Sequence, residues 1–395
     1  MKKKILIVGA GYGQIPAIIT AKKYDLEVIV VDKNPNAPGM KLAHYAYPVD
    51  VIDKEGVFKI ARTHRIDGIM TMQSDLPVPT VGYVNDMLHL KGVNHEVAHF
   101  CSNKIETRKR LKLKNCFQPA FEIARTTAEA EIAAHKIGLP CIIKAPDSSG
   151  SRGVVKVTTA DEIPSAFQEA LKYTRSAFIL IEEYVSGLEF GAQTFSVNGK
   201  CCSVLIHNDI MSPPPYMIPV GHSFPFKYPE QTTVAIAEIK RAIEALGIAD
   251  GPANVDLIFD QKKDTIKVIE VGARIGATCL PELVYYHTGI DWVKETIKNA
   301  IGEKADLTPK YQKSVAAVIV ESPKDGYYKG YRFMNESVHA ENILEFEITA
   351  KPDEEVNVLR KGTDRIGKIV VSGKNVMEAE NTALSFRNAV IIDVK

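Results

Sequence analysis

The stretch GLPCIIKAPDSSGSRGVVKV, residues 138–157, decides the fold of this 395-residue chain. It places Lys144 at the end of an apolar strand, before a loop of small residues and a second strand rich in valine. A fixed cation beside uncovered backbone N–H groups is a typical way to bind a polyphosphate. The stretch therefore predicts a phosphate site with a closing loop formed by Ser148, Ser149, Gly150, Ser151, Arg152 and Gly153. A surface lysine followed by a simple hairpin is the structural alternative.

A second stretch, FILIEEYVSGLEF at 178–190, leaves an apolar strand through two acids, Glu182 and Glu183. Tyr184 and Val185 follow in an extended segment, whose backbone groups suit recognition of an adenine. Glu189 is spaced to reach a ribose diol. Taken together and in this order, the two stretches predict an ATP site.

The hairpin NVDLIFDQKKDTIKVIEVGARIG, residues 254–276, turns near Lys263 and so sets Asp256 opposite Glu270. Side chains that face each other on paired antiparallel strands have Cβ atoms about 4.5–5.5 Å apart. Two carboxylates that close repel unless a cation lies between them, and oxygen ligands suit Mg²⁺ on nucleotide phosphates. Arg274 follows, where a guanidinium can hold a carboxylate or a phosphoryl group. An exposed hairpin whose acids merely face each other is the alternative.

Composition describes an ordinary globular protein of two or three domains, with 45% hydrophobic and 25% charged residues. With 49 basic and 48 acidic side chains, we expect no nucleic-acid partner and no membrane partner. The basic run RKRLKLK at 108–114 is interpreted as a solvated helix face. Six scattered cysteines without metal-ligand spacing argue against zinc and, with no signal-like start, favour the cytoplasm.

The order of elements predicts mixed α/β and α+β architecture. Strands at 3–9, 26–35, 46–49 and 66–72 with helices to about 24 and at 54–63 indicate a parallel, doubly wound layer. Helices at 127–137, 160–173 and 231–246, antiparallel strands over 187–206 and the hairpin at 253–272 follow, and a small α+β module begins after about 310. Residues 207–228, with Pro213 to Pro215, are predicted to be a long mobile loop that closes over substrate.

The first strand runs into Gly9, Gly11 and Gly13, and the second ends in Asp32, which also resembles a dinucleotide fold. The glycine expected two residues after Gly13 is absent. A tight turn requires the same glycines for steric reasons. A nicotinamide-dependent dehydrogenase therefore stays open as an alternative.

With these motifs in order and at the expected gaps, the chain resembles the ATP-grasp carboxylate–amine ligases over nearly its whole length. Within that superfamily it is most similar to the L-amino-acid ligase and carbamoyl-phosphate-synthetase-like group. The resemblance implies a Rossmann-like pre-ATP-grasp domain at 1–95, an ATP-grasp domain at 96–305 and a C-terminal α+β domain at 306–395. The small lid subdomain would span about 121–185.

The resemblance also assigns roles. ATP-binding residues would be Lys104, Lys144, Ser149, Gly150, Ser151, Arg152, Gly153, Glu182, Glu183, Tyr184, Val185 and Glu189; the metal ligands would be Asp256 and Glu270; Arg274 and Lys144 would be catalytic. The implied cofactors are ATP and Mg²⁺ or Mn²⁺. Many members carry an asparagine two residues after the second metal acid, where this chain has Gly272. We expect Asn254, opposite Gly272 in the hairpin, or a water to take its place.

The implied reaction phosphorylates a substrate carboxylate, such as that of an amino acid, and joins the acyl phosphate to an amine, releasing ADP and phosphate. A purine-pathway or carboxylase-like enzyme is the nearest alternative, and a non-catalytic ATP-binding module is another. The resemblance further implies small-molecule substrates and a homodimer. The sequence does not name the two substrates.

Overall fold

The computed structural model describes residues 2–148, 150, 152–213, 218–334 and 342–395. The chain forms two compact units. The first consists of Met1–Leu205, Thr233–Ala277 and Asp291–Leu307, and the second of Ile206–Thr232, Thr278–Ile290 and Thr308–Lys395. The chain therefore passes between the units several times, so neither unit is one continuous segment.

The first unit begins with the predicted parallel layer. Its strands are β1 (Lys4–Val8), β2 (Glu27–Val31), β3 (Tyr45–Tyr47) and β4 (Gly68–Met70), with helices α1 (Ile15–Lys23), α2 (Lys54–His64) and α3 (Val78–Leu88). The strand order β3-β2-β1-β4 is parallel throughout, which confirms the α/β prediction. Strands β1 and β2 are almost wholly apolar and buried, as parallel strands covered on both faces are.

Two short helices follow, α4 (His95–Ser102) and α5 (Lys104–Leu113). The side chain of Asn103 caps the second helix by accepting hydrogen bonds from the backbone N–H groups of Ile105 and Glu106. Asn103 is thus the single residue between the two helices. Its cap fixes the start of α5, whose first residue is Lys104.

Next comes a separate four-stranded sheet. It contains β5 (Phe121–Ala124), α6 (Thr127–Ile137), β6 (Cys141–Lys144), β7 (Val154–Val157), α7 (Ile163–Leu171) and β8 (Ile179–Glu183). The order is β5-β8-β6-β7, all antiparallel. Helices α6 and α7 supply alanines and Phe167 to the hydrophobic core beneath it. The sheet places Lys144 and Glu182 on neighbouring strands, one at the end of each.

The first unit is completed by the strands that hold the candidate metal acids. They are β9 (Leu188–Val197), β12 (Gly251–Asp260) and β13 (Thr265–Gly272), with helices α8 (Pro229–Leu246) and α10 (Trp292–Ala300). Strand β12 pairs antiparallel with both β9 and β13. Strand β10 (Lys200–Met211) follows β9 through the two-residue turn Asn198-Gly199, where both residues have positive φ as a type I′ hairpin requires.

The second unit contains the end of β10, β11 (Pro219–Phe224), α9 (Leu280–Thr288), β14 (Ser314–Val320), β15 (Gly326–Phe333), β16 (Ile343–Ile348), β17 (Glu355–Val356), β18 (Gly367–Gly373), α11 (Val376–Ala389) and β19 (Val390–Val394). Strands β10, β11, β14, β18 and β16 are neighbours in that order, and β17, β15 and β19 form a separate small sheet. Helix α11 packs its buried face on β14 and β18. The predicted C-terminal α+β architecture is confirmed.

The prediction that residues 207–228 form one long loop is wrong. Strand β10 runs to Met211 and β11 covers Pro219–Phe224, so half of the segment is paired sheet. Polar residues on these strands, such as Asn208 and Ser223, bond to each other inside the unit and interrupt the apolar–polar alternation that would indicate a strand. Of the three prolines, Pro214 and Pro215 lie outside the described residues. A lid role for this segment has lost its basis. Among the described residues, none of the helices is both long and apolar enough to cross a bilayer.

Candidate active site

The two candidate metal acids face each other as the hairpin predicts. Strands β12 and β13 pair with Asp256 opposite Glu270 and Asn254 opposite Gly272. Both carboxylates are half-buried, and the residues on either side of each acid in its strand are apolar. An irregularity in the pairing follows Asp256, so this pair lies where the ladder is locally distorted. The two acids therefore form a compact all-oxygen donor set.

Lys104 joins this hairpin to the small-residue loop. Its Nζ donates to Oε1 of Glu270 at 2.9 Å and to the backbone oxygen of Ser148 at 2.6 Å. Burial lowers the pKa of this ammonium, but attraction to Glu270 outweighs burial and the net pKa is raised. Lys104 therefore stays charged, with its ammonium between the acids and the loop.

Lys144 is held in a buried ion-pair cluster with Glu182 and Arg108. Its Nζ lies 2.6 Å from Oε2 of Glu182, and Nε of Arg108 donates to Oε1 of the same carboxylate at 2.6 Å. Burial raises the pKa of Glu182, but the attraction of the two cations outweighs burial, and the net pKa is about 2. Desolvation lowers the pKa of Lys144. Glu182 is therefore a charged group that fixes the position of Lys144 at the strand end.

Arg108 is a residue that the sequence reasoning missed. The interpretation of 108–114 as a solvated helix face is wrong for this side chain, which is only 1% exposed. Besides Glu182, it donates to the backbone oxygens of Val268 at 3.0 Å and Ile269 at 2.7 Å. The available signal was its helical spacing, three residues from the buried Ile105 and three from the buried Leu111. It anchors α5 to both Glu182 and strand β13.

Arg274 makes a two-pronged ion pair with Asp75. Its Nε lies 2.8 Å from Oδ1, and its NH2 donates to Oδ2 at 2.9 Å. Burial lowers the pKa of Arg274, but Asp75 and the other nearby acids outweigh burial and raise it. Asp75 was not among the predicted site residues. The signal was its place after β4, since ligand groups in parallel sheets collect beyond the carboxyl ends of strands.

Asp75 also explains the glycine at 272. A Cβ added at Gly272 would come within 2.7 Å of Oδ1 of Asp75. A carboxylate from the N-terminal layer thus occupies the space into which a side chain at this position would grow. The departure from the usual asparagine follows from this packing.

Asn254 lies beside the acids, as expected from the register. Its Nδ2 donates to Oδ1 of Asp256 at 2.8 Å, while its Oδ1 accepts from Gln193 at 2.6 Å. Gln193 in turn accepts from the backbone N–H of Gly276 at 3.0 Å. Asn254 therefore orients a metal acid through its amide nitrogen. A buried network that begins at Gln193 fixes the amide in turn.

The predicted adenine and ribose residues lie at the end of β8 and the start of β9. Glu183 pairs with Lys263 at 2.6 Å and Lys267 at 2.9 Å. Burial raises its pKa, but these partners lower it to about 2. Tyr184 lies under the ammonium of Lys156 at 3.7 Å, and Val185 is buried. Glu189 is exposed and opposite Ile258 on β12. The structure thus shows which lysines Glu183 contacts. The adenine and ribose roles of these residues stay predictions.

The phosphate loop is described in part. Ser149 and Ser151 lie outside the described residues, whereas Gly150 and Gly153 have φ of +68° and +67°. At Gly153 an added Cβ would also meet Cβ of Tyr173 at 2.9 Å. Arg152 is exposed. Both the positive φ and the close contact with Tyr173 therefore require a glycine at position 153.

The glycine turn after β1 has its backbone donors already bonded. The N–H of Ala10 donates to Asp32 at 2.9 Å, and the N–H of Gly11 donates to the side chain of Gln14 at 3.0 Å. Asp32 also accepts from the N–H of Asn34 at 2.9 Å. The groups that a dinucleotide would need are therefore used within the turn.

The residues present fit a magnesium–nucleotide complex. Asp256 and Glu270 offer the hard oxygen ligands that Mg²⁺ prefers. Lys104, bonded to the loop at Ser148, and Lys144, at the end of the strand that leads into the loop, offer positive charge to a triphosphate.

Comparison with known proteins agrees with this geometry. Residues 137–282 match the ATP-grasp domain family. Among curated proteins, the chain is 26% identical to an uncharacterized protein of Sinorhizobium fredii, over 79% of this chain and 65% of that protein. It is 24% identical to the formate-dependent phosphoribosylglycinamide formyltransferase of Saccharolobus solfataricus, over 95% of this chain and 94% of that protein. The chain thus spans less than two thirds of the first of these relatives.

Solved structures give the same result. The fold matches phosphoribosylglycinamide synthetase from Anaerococcus prevotii with a TM-score of 0.82, 27% identity and full coverage of both chains. It matches an L-amino acid ligase from Bacillus licheniformis with a TM-score of 0.85 and 22% identity, over 100% of this chain and 99% of that one. At 22% identity the second match shows a common fold only.

Proposed function

We propose that this chain, whose residues 137–282 match the ATP-grasp domain family, is a carboxylate–amine ligase that uses ATP and Mg²⁺ to phosphorylate a small-molecule carboxylate. An amine then attacks the acyl phosphate, and ADP and phosphate are released. An amino acid is our first candidate for the carboxylate substrate. The resemblance to an L-amino acid ligase fold supports this choice but rests on shared fold alone.

The observation that carries the proposal is the combination of two opposed acids with a set of cations that are already paired with carboxylates. Lys104 is bonded to Glu270, and Lys144 to Glu182. Glu270 would hold the Mg²⁺, and Lys104, now paired with Glu270, would then offer its ammonium to phosphate oxygens. Mg²⁺ supplies charge neutralisation between the phosphates. The chain itself contributes position and fixed charge rather than a nucleophile.

The ion pair between Arg274 and Asp75 supports the choice of substrates. A guanidinium binds carboxylates with two parallel hydrogen bonds, and a carboxylate binds ammonium groups. An amino acid or an amine–carboxylate pair offers both partners. We propose that Arg274 holds the substrate carboxylate and Asp75 an amino group.

The test of the reaction is product analysis. Enzyme, Mg²⁺ and ATP are incubated with pools of L- and D-amino acids, and nucleotides are separated by chromatography. We expect substrate-dependent ADP, and hydroxylamine should trap the acyl phosphate as a hydroxamate. AMP as the product would contradict phosphorylation of the carboxylate. ATP binding without ADP formation across a broad panel would instead support a non-catalytic module.

A purine-pathway reaction is the second candidate, favoured by the match to the Saccharolobus solfataricus formyltransferase over 95% of this chain. Phosphoribosylglycinamide with formate and phosphoribosylamine with glycine therefore belong in the same screen. ADP formation in either arm, with none from the amino-acid pools, would select this candidate.

The metal role of the hairpin is tested with Glu270→Gln. Removing a hard anionic ligand at nearly constant volume should raise the Mg²⁺ concentration needed for half-maximal turnover at least about tenfold, with nucleotide affinity in EDTA nearly unchanged. Asp264→Asn is the matched control, because this exposed acid lies in the turn of the same hairpin. An unchanged Mg²⁺ requirement in Glu270→Gln would place the metal elsewhere.

We further propose a cytoplasmic enzyme whose partners are small molecules and a second copy of itself. The near-zero net charge of +1 supports the absence of nucleic-acid and membrane partners. Light scattering in solution measures the dimer directly, and a monomer mass at assay concentration would contradict it.

A further inference from the structure

A second polar cluster lies in the second unit. His207 and Asp209 are two residues apart on β10, so their side chains share one face of the strand. Asp209 is the register partner of His222 on β11. The side chains of His207, His222 and Asp209 are 1%, 6% and 11% exposed, respectively. Two strands thus bring three potential ligands together in a buried position.

The donor atoms of the cluster converge. Oδ1 of Asp209 lies 2.9 Å from Nδ1 of His207 and 2.7 Å from Nδ1 of His222. The two rings are 4.7 Å apart and inclined at 75°. Two ligands at roughly 2.1 Å from one ion and at right angles are about 3 Å apart. The separations are therefore those of adjacent ligands on a six-coordinate ion, with side-chain adjustment on binding.

The two imidazoles share a single carboxylate oxygen as partner. Both rings point Nδ1 at the same carboxylate oxygen, while Nε2 of His207 is buried and has no hydrogen-bond partner among the described residues. Either nitrogen of a neutral imidazole can ligate a metal ion, so each ring offers the cluster one donor. The ring of Phe224 packs edge-on against His207 at 5.8 Å.

We propose that His207, Asp209 and His222 bind one divalent first-row transition-metal ion that links β10 to β11. Two imidazole nitrogens and one carboxylate suit iron, cobalt, nickel or zinc better than Mg²⁺, which prefers oxygen. The site therefore differs in ligand chemistry from the opposed acids Asp256 and Glu270. Waters would complete the coordination, and the ion would stabilise the pairing of the two strands. The inference does not depend on the proposed reaction.

Cobalt titration tests the site in the full-length protein. After chelator treatment and dialysis, Co²⁺ is added with Mg²⁺ in large excess, and the visible cobalt absorption is followed. We expect one Co²⁺ per chain, with the spectrum of nitrogen and oxygen ligands and no thiolate charge-transfer band. Loss of an outer-sphere partner alone costs about 10–100-fold in affinity, so Asp209→Asn and His222→Gln should each weaken binding at least about 100-fold.

His135→Gln is the matched control, since His135 is an exposed histidine on α6. It should bind Co²⁺ as the wild type does. If Asp209→Asn and His222→Gln fail to fold, anomalous diffraction from cobalt-soaked wild-type crystals decides the question. A cobalt peak among the three side chains supports the site. No bound Co²⁺ in the wild type, equal affinity in folded variants, or a peak elsewhere would overturn it.

Discussion

Arg108 shows how strongly a single buried charge organises this site. It is bonded to Glu182 and to two backbone oxygens of β13, and Glu182 in turn holds Lys144. The cluster has two cations and one anion, so one positive charge is left for a ligand. A buried ion pair is rarely a large net source of stability, but removal of one partner is costly. The function of Arg108 is therefore to position Lys144 through Glu182.

Arg108→Met should lower the free energy of unfolding by about 3–5 kcal/mol at neutral pH, because the buried Glu182 loses a partner. The pKa of this carboxyl, ordinarily 4.5, is about 2 in the folded protein. A lowered pKa stabilises the fold above the unfolded value, and this stabilisation is lost as the pH falls through the folded value. The difference between wild type and variant should therefore shrink between pH 4.5 and about 2.

Urea unfolding at several pH values measures this difference. Lys109→Met is the control, since Lys109 is an exposed neighbour on the same helix and surface ion pairs contribute about 0–1 kcal/mol. A difference that stays constant down to pH 2 would show that Glu182 is not the group responsible.

Lys144→Met should weaken ATP binding about 10–100-fold, since one charge-assisted contact contributes about 1.5–3 kcal/mol. The fold should survive, because Glu182 keeps its bond to Arg108. Calorimetric titration with a non-hydrolysable ATP analogue gives the affinity. Lys172→Met, an exposed lysine following α7, is the matched control. Equal affinity in wild type and Lys144→Met would mean that the phosphates bind elsewhere.

At the scale of elements, the β12–β13 hairpin determines the site more than any other element. Its register sets Asp256 against Glu270, and its end brings Gly272 beside Asp75 from the N-terminal layer. Helix α5 contributes Lys104 and Arg108 to the same region. One hairpin thus provides the acids, while helix α5 and the end of strand β6 supply the opposing charges.

Gly272→Ala should destabilise the protein by about 1–3 kcal/mol, because the new Cβ would overlap Oδ1 of Asp75. In an Asp75→Ala background the same change should cost less, giving a favourable coupling energy in a double-mutant cycle. Chemical denaturation of the four proteins measures it. Gly362→Ala is the control, since a Cβ there would meet open space. Additive effects of the two changes would show that Asp75 does not restrict position 272.

At the scale of the whole molecule, the chain contains two nucleotide-like motifs, and among the described residues their polar groups are engaged differently. The glycine turn after β1 uses its N–H groups on Asp32 and Gln14. The cations around the small-residue loop are paired with acids that a magnesium–nucleotide complex can replace as partners. The N-terminal layer therefore contributes Asp75 and packing instead of a dinucleotide site.

Thermal unfolding distinguishes the two motifs. MgATP at 100 times its Kd should stabilise the chain by about 2.7 kcal/mol and raise Tm, whereas NADH and NADPH should leave Tm unchanged. Lys144→Met serves as the control and should lose most of the rise with MgATP. A rise with a nicotinamide nucleotide would revive the dehydrogenase alternative.

The sequence by itself determined the parallel N-terminal layer, the order of the ATP-grasp motifs and the register of Asp256 with Glu270. These features follow from local patterns, because apolar runs, turn residues and strand pairing act over short separations. Only the tertiary structure decided the partners of those residues. Arg108 meets Glu182 across 74 positions and Arg274 meets Asp75 across 199. The pairing of β10 with β11 was also hidden, since polar residues buried there break the alternation. Such contacts depend on how distant elements pack, and no local pattern records them.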